Sequence, residues 1–146
     1  MMKITVIAVG KLKENYLKEG INDYLKRINK YHKINIIELP DSNIDNEANE
    51  ILKHIDNKDY LIAMCIEGET ISSLELSQKI DKIFITNSNI TFIIGGSDGI
   101  REDIKNKCNY KLSFSKLTYP HGLFRLILLE QIYRSFKILN NESYHK

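Results

Sequence analysis

Two kinds of apolar pattern alternate along the whole chain, and this alternation restricts the possible fold more than any other feature of the sequence. Short apolar or β-branched runs, typical of buried strands, are separated by segments whose apolar residues recur every three or four positions, as in helices with one buried face. The predicted strands cover residues 3–9, 33–39, 60–66, 90–94 and 110–114. Such alternation favours an α/β fold, in which helices cover both faces of a mostly parallel sheet.

The predicted helices fall between these strands and after the last one. The first covers residues 14–29, the fourth residues 101–107 and the last residues 120–139. The second follows the polar stretch 42–49 and runs through Ile55. The third is capped by Ser72 or Ser73 and continues through Ile80. The final NNESYHK is predicted to be a polar tail. The sequence contains no internal repeat and no linker, and its 146 residues predict a single domain over 1–146.

Composition and charge exclude several classes of protein. No apolar run approaches the roughly 20 residues that span a bilayer, and the first apolar run is too short for a signal peptide, so we expect a cytoplasmic protein without membrane segments. The net charge of +2 is far from that of a domain that binds nucleic acid by charge alone. Cys65 and Cys108 stand apart from any metal-ligand spacing and are expected to be buried, reduced thiols; no metal site is predicted.

The fourth strand runs directly into GGSDG at residues 95–99. Ligands of α/β proteins bind beyond the carboxyl ends of the strands, and glycines let the backbone approach them closely. The spacing matches neither GxGxxG nor a P-loop, which disfavours a classical dinucleotide site and a kinase-type site. From the residues alone, the glycines are equally compatible with a tight turn and with a ligand cradle.

The last predicted helix combines polar residues at its start with apolar residues on more than one face. Pro120 suits a first helical turn, and His121 and Arg125, four residues apart, lie near an N-terminus that favours anions such as a phosphate or an RNA backbone. Glu130 and Arg134 are predicted to form an internal salt bridge. Because a surface helix of a small monomer cannot hide apolar residues on several faces, the helix is central or packs against a second chain, and we predict a homodimer.

Several segments together resemble one known family. They are MKITVIAVGKLKENY at 2–16, Glu67-Gly68 after the third strand, FIIGGSDGI at 92–100, LSFSKLTYPHGLFRLILLEQIYRSFKI, and the terminal SYHK. The chain resembles the SPOUT (α/β-knot) methyltransferases, and more narrowly the ribosomal RNA large subunit methyltransferase H family. The resemblance implies a homodimer with a C-terminal trefoil knot. It also implies that S-adenosylmethionine (AdoMet) is used to methylate N3 of a pseudouridine in large-subunit (23S) ribosomal RNA, on the assembled ribosome.

The resemblance also implies site residues. Those expected to contact the cofactor are Met64, Gly95, Phe114, Ser115, Lys116, Leu117, Thr118 and Tyr119. His121 is expected to act as a general base, and Arg125 to stabilise the developing anion or clamp a phosphate. Tyr144 and His145 are expected to stack on or bind the target base, either in their own subunit or in the partner's, and a frayed terminus is the alternative.

Two other functions remain open at the level of sequence. The first is a non-catalytic RNA- or ribosome-binding module on the same fold, which the retained GGSDG and LTYPHG segments argue against. The second is a nucleotide-binding enzyme of another kind, which the lack of a phosphate motif disfavours. The chain departs from the family in being shorter around residues 42–50 and 80–89, where we expect surface trims, and in having Met64 where Leu is common.

Overall fold

The computed structural model describes residues 2–145 and has a five-stranded sheet at its centre. Every neighbouring pair of strands is parallel, in the order β2-β1-β4-β3-β5. The strands are β1 (Lys3–Val9), β2 (Lys33–Leu39), β3 (Tyr60–Thr70), β4 (Asn89–Ile94) and β5 (Tyr110–Ser113). The helices are α1 (Asn15–Asn29), α2 (Ile44–Leu52), α3 (Ser73–Thr86), α4 (Glu102–Lys107) and α5 (His121–Leu139). The predicted α/β fold is confirmed, and the strand starts agree with prediction to within one residue.

Helices cover both faces of the sheet, as predicted. Side chains alternate along each strand, so Ile4 and Val6 of β1 pack in one core cluster while Ile7 and Val9 pack in another. The first cluster also takes buried residues of α1, α3 and α5. The second takes those of α2 and α4. Burial on both faces explains why the strands are nearly continuous apolar runs.

The end of β3 differs from the prediction. Instead of stopping at Ile66, the strand continues to Thr70, with a register shift in which Met64 and Glu69 both pair with Leu112 of β5. Gly68 lies in the shifted part, and a Cβ there would come within 2.7 Å of the Leu112 backbone. The glycine therefore marks a close approach between strands at an irregularity, not the end of the strand.

The start of α3 agrees with the prediction, whereas the end of α2 does not. Ser72 caps α3 as predicted: its Oγ accepts from the Glu75 backbone N–H at 3.1 Å, and Glu75 Oε1 accepts from the Ser72 N–H at 3.0 Å. The prediction that α2 runs through Ile55 was wrong, because the helix ends at Leu52. The apolar spacing extended past the point where the backbone leaves the helix.

A buried ion pair attaches α5 to the carboxyl ends of β1 and β2. Arg125 is 1% exposed, and its Nη1 donates to Glu38 Oε2 at 2.8 Å. Its Nη2 donates to the carbonyl oxygens of Val9, at 3.2 Å, and Gly10, at 2.5 Å. Glu38 Oε2 also accepts from the Leu12 N–H at 3.1 Å. One guanidinium thus joins α5, two strand ends and the segment that follows β1.

We expect Glu38→Gln to lower the free energy of unfolding by about 2 kcal/mol, because the buried Arg125 charge loses its carboxylate while keeping its two carbonyl partners. Urea denaturation measures the change. The matched control is Glu50→Gln, which removes an exposed pair with Lys53 and should leave the unfolding curve nearly unchanged. Equal effects of the two substitutions would contradict an anchoring role for the Arg125–Glu38 pair.

Candidate functional site

A cavity of about 440 Å³ lies beside the irregular part of β3 and the carboxyl ends of β4 and β5, and its volume is within the range of small-molecule sites. Because β4, β3 and β5 are neighbours in the sheet, residues 64–67 of β3 and the segments that follow β4 and β5 meet at this edge. Met64, Ile94 and Leu112 form apolar wall, and the glycine turn, the segment after β5 and the start of α5 complete the lining.

The glycine turn 95–99 is both a tight turn and part of the cavity wall. The Gly99 N–H donates to the Gly96 carbonyl at 3.0 Å, and Gly99 has φ of 79°, a conformation that favours glycine. A Cβ on Gly95 would lie 2.6 Å from the Gly99 backbone. All three glycines line the cavity, so the two interpretations left open by the sequence are compatible.

The segment that follows β5 is held in shape by its own hydroxyl groups. Ser115 Oγ accepts from the Leu117 N–H at 3.0 Å and lies 3.0 Å from the Tyr119 hydroxyl. Phe114 and Tyr119 pack against Phe124 of α5, with ring centroids 5.4 Å and 5.9 Å away. The cavity-lining residues of this segment are Phe114, Ser115, Leu117, Thr118 and Tyr119. Lys116 is exposed and does not line the cavity.

His121 is the first residue of α5 and lines the cavity. Pro120 precedes it as the N-cap residue, and no side chain accepts a hydrogen bond from the first turn of the helix. Backbone N–H groups of this turn are therefore available beside an imidazole, and a helix N-terminus favours negative charge. This arrangement can accept a proton and stabilise an anion at one place.

The structure does not bring Arg125 to the cavity, although it lies one turn after His121. Its guanidinium points toward the ends of β1 and β2, where its partners are Glu38 and two backbone carbonyls. An arginine on an apolar helix does need a partner, but that partner is a carboxylate 87 positions away in the same chain. In this geometry Arg125 fixes the position of α5 and does not line the cavity.

Tyr144 and His145 are also absent from the cavity lining of their own chain. The Tyr144 hydroxyl donates to Glu130 Oε1 at 3.0 Å, and its ring lies 4.7 Å from the Arg134 guanidinium carbon. The pKa of Tyr144 is raised, mainly because its hydroxyl is partly withdrawn from water. His145 Nδ1 lies 3.2 Å from Arg134 Nη1. The tail up to His145 is thus packed on α5, unlike a frayed terminus, and the predicted Glu130–Arg134 salt bridge is confirmed at 2.8 Å.

Two charged residues of the cavity were missed by sequence reasoning. Glu67 and Lys105 both line it and form an ion pair with each other. The hydrogen bond from Lys105 lowers the pKa of Glu67, and Glu67 correspondingly raises the pKa of Lys105. Lys105 lies on α4, a helix that carried no motif, and only the Glu67-Gly68 break after the third apolar run marked this end of the site.

The cysteines are not poised for chemistry. Cys65 lines the cavity, and burial raises the pKa of its thiol. Burial also raises the pKa of Cys108 to about 11. Both therefore favour the neutral thiol near pH 7. The prediction of buried cysteines was only partly right, because each of the two side chains is partly exposed. Within residues 2–145, no group of three or more His, Cys, Asp or Glu side chains is placed to hold a metal ion.

Fold and cavity together define an α/β protein with a cavity of small-molecule size near the carboxyl edge of a parallel sheet. The family model described as "Predicted SPOUT methyltransferase" matches residues 2–145. The chain belongs to this family and is a methyltransferase.

Full-length relatives carry a more specific name. A Clostridium botulinum (strain Langeland) protein called ribosomal RNA large subunit methyltransferase H is 49% identical over 99% of this chain and 100% of its own length. A protein of that name from Alkaliphilus oremlandii is 48% identical with the same coverage. The solved structure of tRNA (m1G37) methyltransferase from Aquifex aeolicus covers 91% of this chain and 69% of its own, with a TM-score of 0.55 and 13% identity, and supports the fold alone. No helix within the described residues has the length and apolar character to cross a membrane.

We expect Gly95→Ala to lower the melting temperature by about 5 °C, because the added methyl group meets backbone atoms of Gly99 and the turn must open. Scanning calorimetry measures the change. Ser97→Ala, at an exposed position of the same turn, is the control and should melt like the parent chain. A Gly95→Ala variant with an unchanged melting temperature would show that Gly95 and Gly99 are further apart than in this structure.

Proposed function

We propose that the chain transfers a methyl group from AdoMet to N3 of a pseudouridine in 23S ribosomal RNA, on the assembled ribosome. The observation that carries the proposal is the cavity at the strand ends, where the glycine turn, the hydroxyl-rich segment and His121 meet. The full-length relatives named ribosomal RNA large subunit methyltransferase H support the choice of large-subunit RNA as substrate.

The residues of the cavity suit AdoMet. Apolar side chains such as Met64 and Leu112 can flank an adenine, while the turn at Gly95 and the Ser115–Tyr119 segment offer backbone groups for hydrogen bonds. Seven of the eight expected cofactor contacts line the cavity, and the eighth, Lys116, stands between two that do. When bound, AdoMet supplies a methyl group on a sulfonium, whose departing thioether is neutral.

His121 is the residue we assign to proton transfer. N3 of a pseudouridine must lose its proton to become a good nucleophile, and an imidazole can accept a proton near neutral pH. The N-terminus of α5 favours the negative charge that develops on the base. Since the leaving group needs no acid, holding the nitrogen in line with the methyl group supplies much of the rate. Arg125 contributes by holding α5 in place.

A second copy of the chain is the partner that we propose for α5. Leu123, Ile127 and Ile138 lie on the side of the helix away from the core and are only half-buried in a single chain. Pairing two copies through this side explains the excess of apolar residues. It also offers a route by which Tyr144 and His145 reach a cavity, because in their own chain they pack on the far half of α5. The C-terminal trefoil knot that the family resemblance implies is part of the same proposal.

Calorimetric titration with AdoMet, together with the mass in solution, tests the cofactor assignment. We expect a dimer that binds AdoMet saturably. The His121→Ala variant should keep this affinity while its methylation of ribosomes from an unmethylated strain falls about 10²- to 10⁴-fold. His54→Ala, exposed and outside the cavity, is the control. A folded dimer that binds ribosomes but not AdoMet would replace this proposal with the non-catalytic binding module.

Mixed dimers test whether the tail acts across the subunit boundary. His121→Ala and Tyr144→Ala homodimers should each be nearly inactive. If each site combines His121 of one chain with Tyr144 of the other, a dimer containing one chain of each variant has one intact site. We therefore expect co-expressed, tag-selected mixed dimers to recover roughly half of the parent methylation rate. Mixed dimers as inactive as the homodimers would show that the tail serves its own chain, and a Tyr144→Ala homodimer with parent activity would show that the tail serves no site.

A further inference from the structure

The Glu67–Lys105 ion pair occupies one end of the cavity, and neither the family comparison nor the mechanism above uses it. Among the described cavity-lining side chains, Glu67 is the only carboxylate and Lys105 the only lysine or arginine. Lys105 is largely buried, with 15% of its side chain exposed, whereas 53% of the Glu67 side chain is exposed. The carboxylate is therefore the more solvent-accessible partner of the pair, and the ammonium is the more enclosed one.

The irregularity in β3 places Glu67 there. Glu67 falls between Met64 and Glu69, the two residues that share Leu112 as a pairing partner. A strand irregularity of this kind re-aims side chains, and such irregularities occur beside functional sites. Glu67 thus leaves the regular alternation of the strand three residues beyond Met64, which itself lines the cavity.

The ion pair is suited to neutral hydroxyl groups rather than to a charged ligand group. Glu67 Oε1 is engaged by Lys105, so the pair as a whole carries no net charge and has little attraction for a second cation. The carboxylate remains ionised, because Lys105 holds its pKa below the usual range. Its other oxygen is a strong acceptor, and hydrogen bonds from hydroxyls to a carboxylate are stronger than those between neutral groups. An acidic residue binds ribose hydroxyls in dinucleotide-binding α/β proteins, and Glu67, in the irregular part of β3, offers a carboxylate of the same kind.

We propose that Glu67 accepts hydrogen bonds from the ribose hydroxyls of the adenosyl ligand, and that Lys105 is a positioning residue that orients this carboxylate. The proposal rests on the AdoMet-binding function above and extends it to a particular part of the ligand. It predicts that the site distinguishes ribose from deoxyribose and that the distinction depends on Glu67.

Calorimetric titrations with S-adenosylhomocysteine and its 2′-deoxy and 3′-deoxy analogues test it. The parent protein should bind at least one deoxy analogue about tenfold more weakly than the ribose form. In Glu67→Ala this difference should shrink to about twofold or less, because the ribose form loses affinity and the deoxy form does not. In the isosteric Glu67→Gln variant, the ratio of ribose to deoxyribose affinity should lie between those of the parent and Glu67→Ala. This variant separates loss of the negative charge from a general effect of shortening the side chain.

Glu69→Ala is the matched control. Glu69 lies two residues further along β3, bonds to the Tyr110 hydroxyl at 2.9 Å and does not line the cavity, so this variant should keep the full discrimination. Undiminished discrimination in Glu67→Ala, or none in the parent protein, overturns the ribose assignment. A variant that binds 5′-methylthioadenosine normally but AdoMet poorly also overturns it, in favour of the amino-acid end of the ligand. A parent protein that binds none of these ligands refutes the proposed function itself.

Discussion

The contact between Arg125 and the carboxyl ends of β1 and β2 is the interaction on which the site depends most. A charge that is 98% or more withdrawn from water is tolerated only with partners, and Arg125 has one carboxylate and two backbone carbonyls. These partners belong to the first third of the chain, while Arg125 belongs to its last helix. The ion pair therefore sets where α5 begins relative to the sheet.

The position of the first turn of α5 follows from this contact and from close packing beside it. A Cβ on Gly122 would lie 2.8 Å from side-chain atoms of Leu12 and Leu17, so the helix start lies directly on the segment after β1 and on α1. His121 and Phe124, on the cavity side of the same turn, are thereby held against the Phe114–Tyr119 segment. A buried polar anchor on one side of a helix turn thus keeps the cavity-lining side chain on the other side in place.

The elements of the fold were predictable from sequence, but their arrangement was not. Periodicity marks each strand because burial on both faces requires a continuous apolar run, as in the strand that contains Phe92. It carries no information on which strands are neighbours, and β4 lies between β1 and β3. Gly68 was misread as a strand end because a glycine at a strand irregularity and one in a turn look alike in sequence. The partner of Arg125, Glu38, was invisible because nothing local links them.

The site shows the same division between local and long-range information. The glycine turn and the start of α5 were recognisable because each has a local signature, whereas the Glu67–Lys105 pair needs β3 and α4 to be placed side by side. Two of the cavity-lining side chains, Ile66 and Leu117, are 53% and 69% exposed, so part of the apolar lining is open to solvent. The net charge of only +2 supplies no strong general positive field for attracting RNA, so any RNA contact beside the cavity has to rely on local groups and shape.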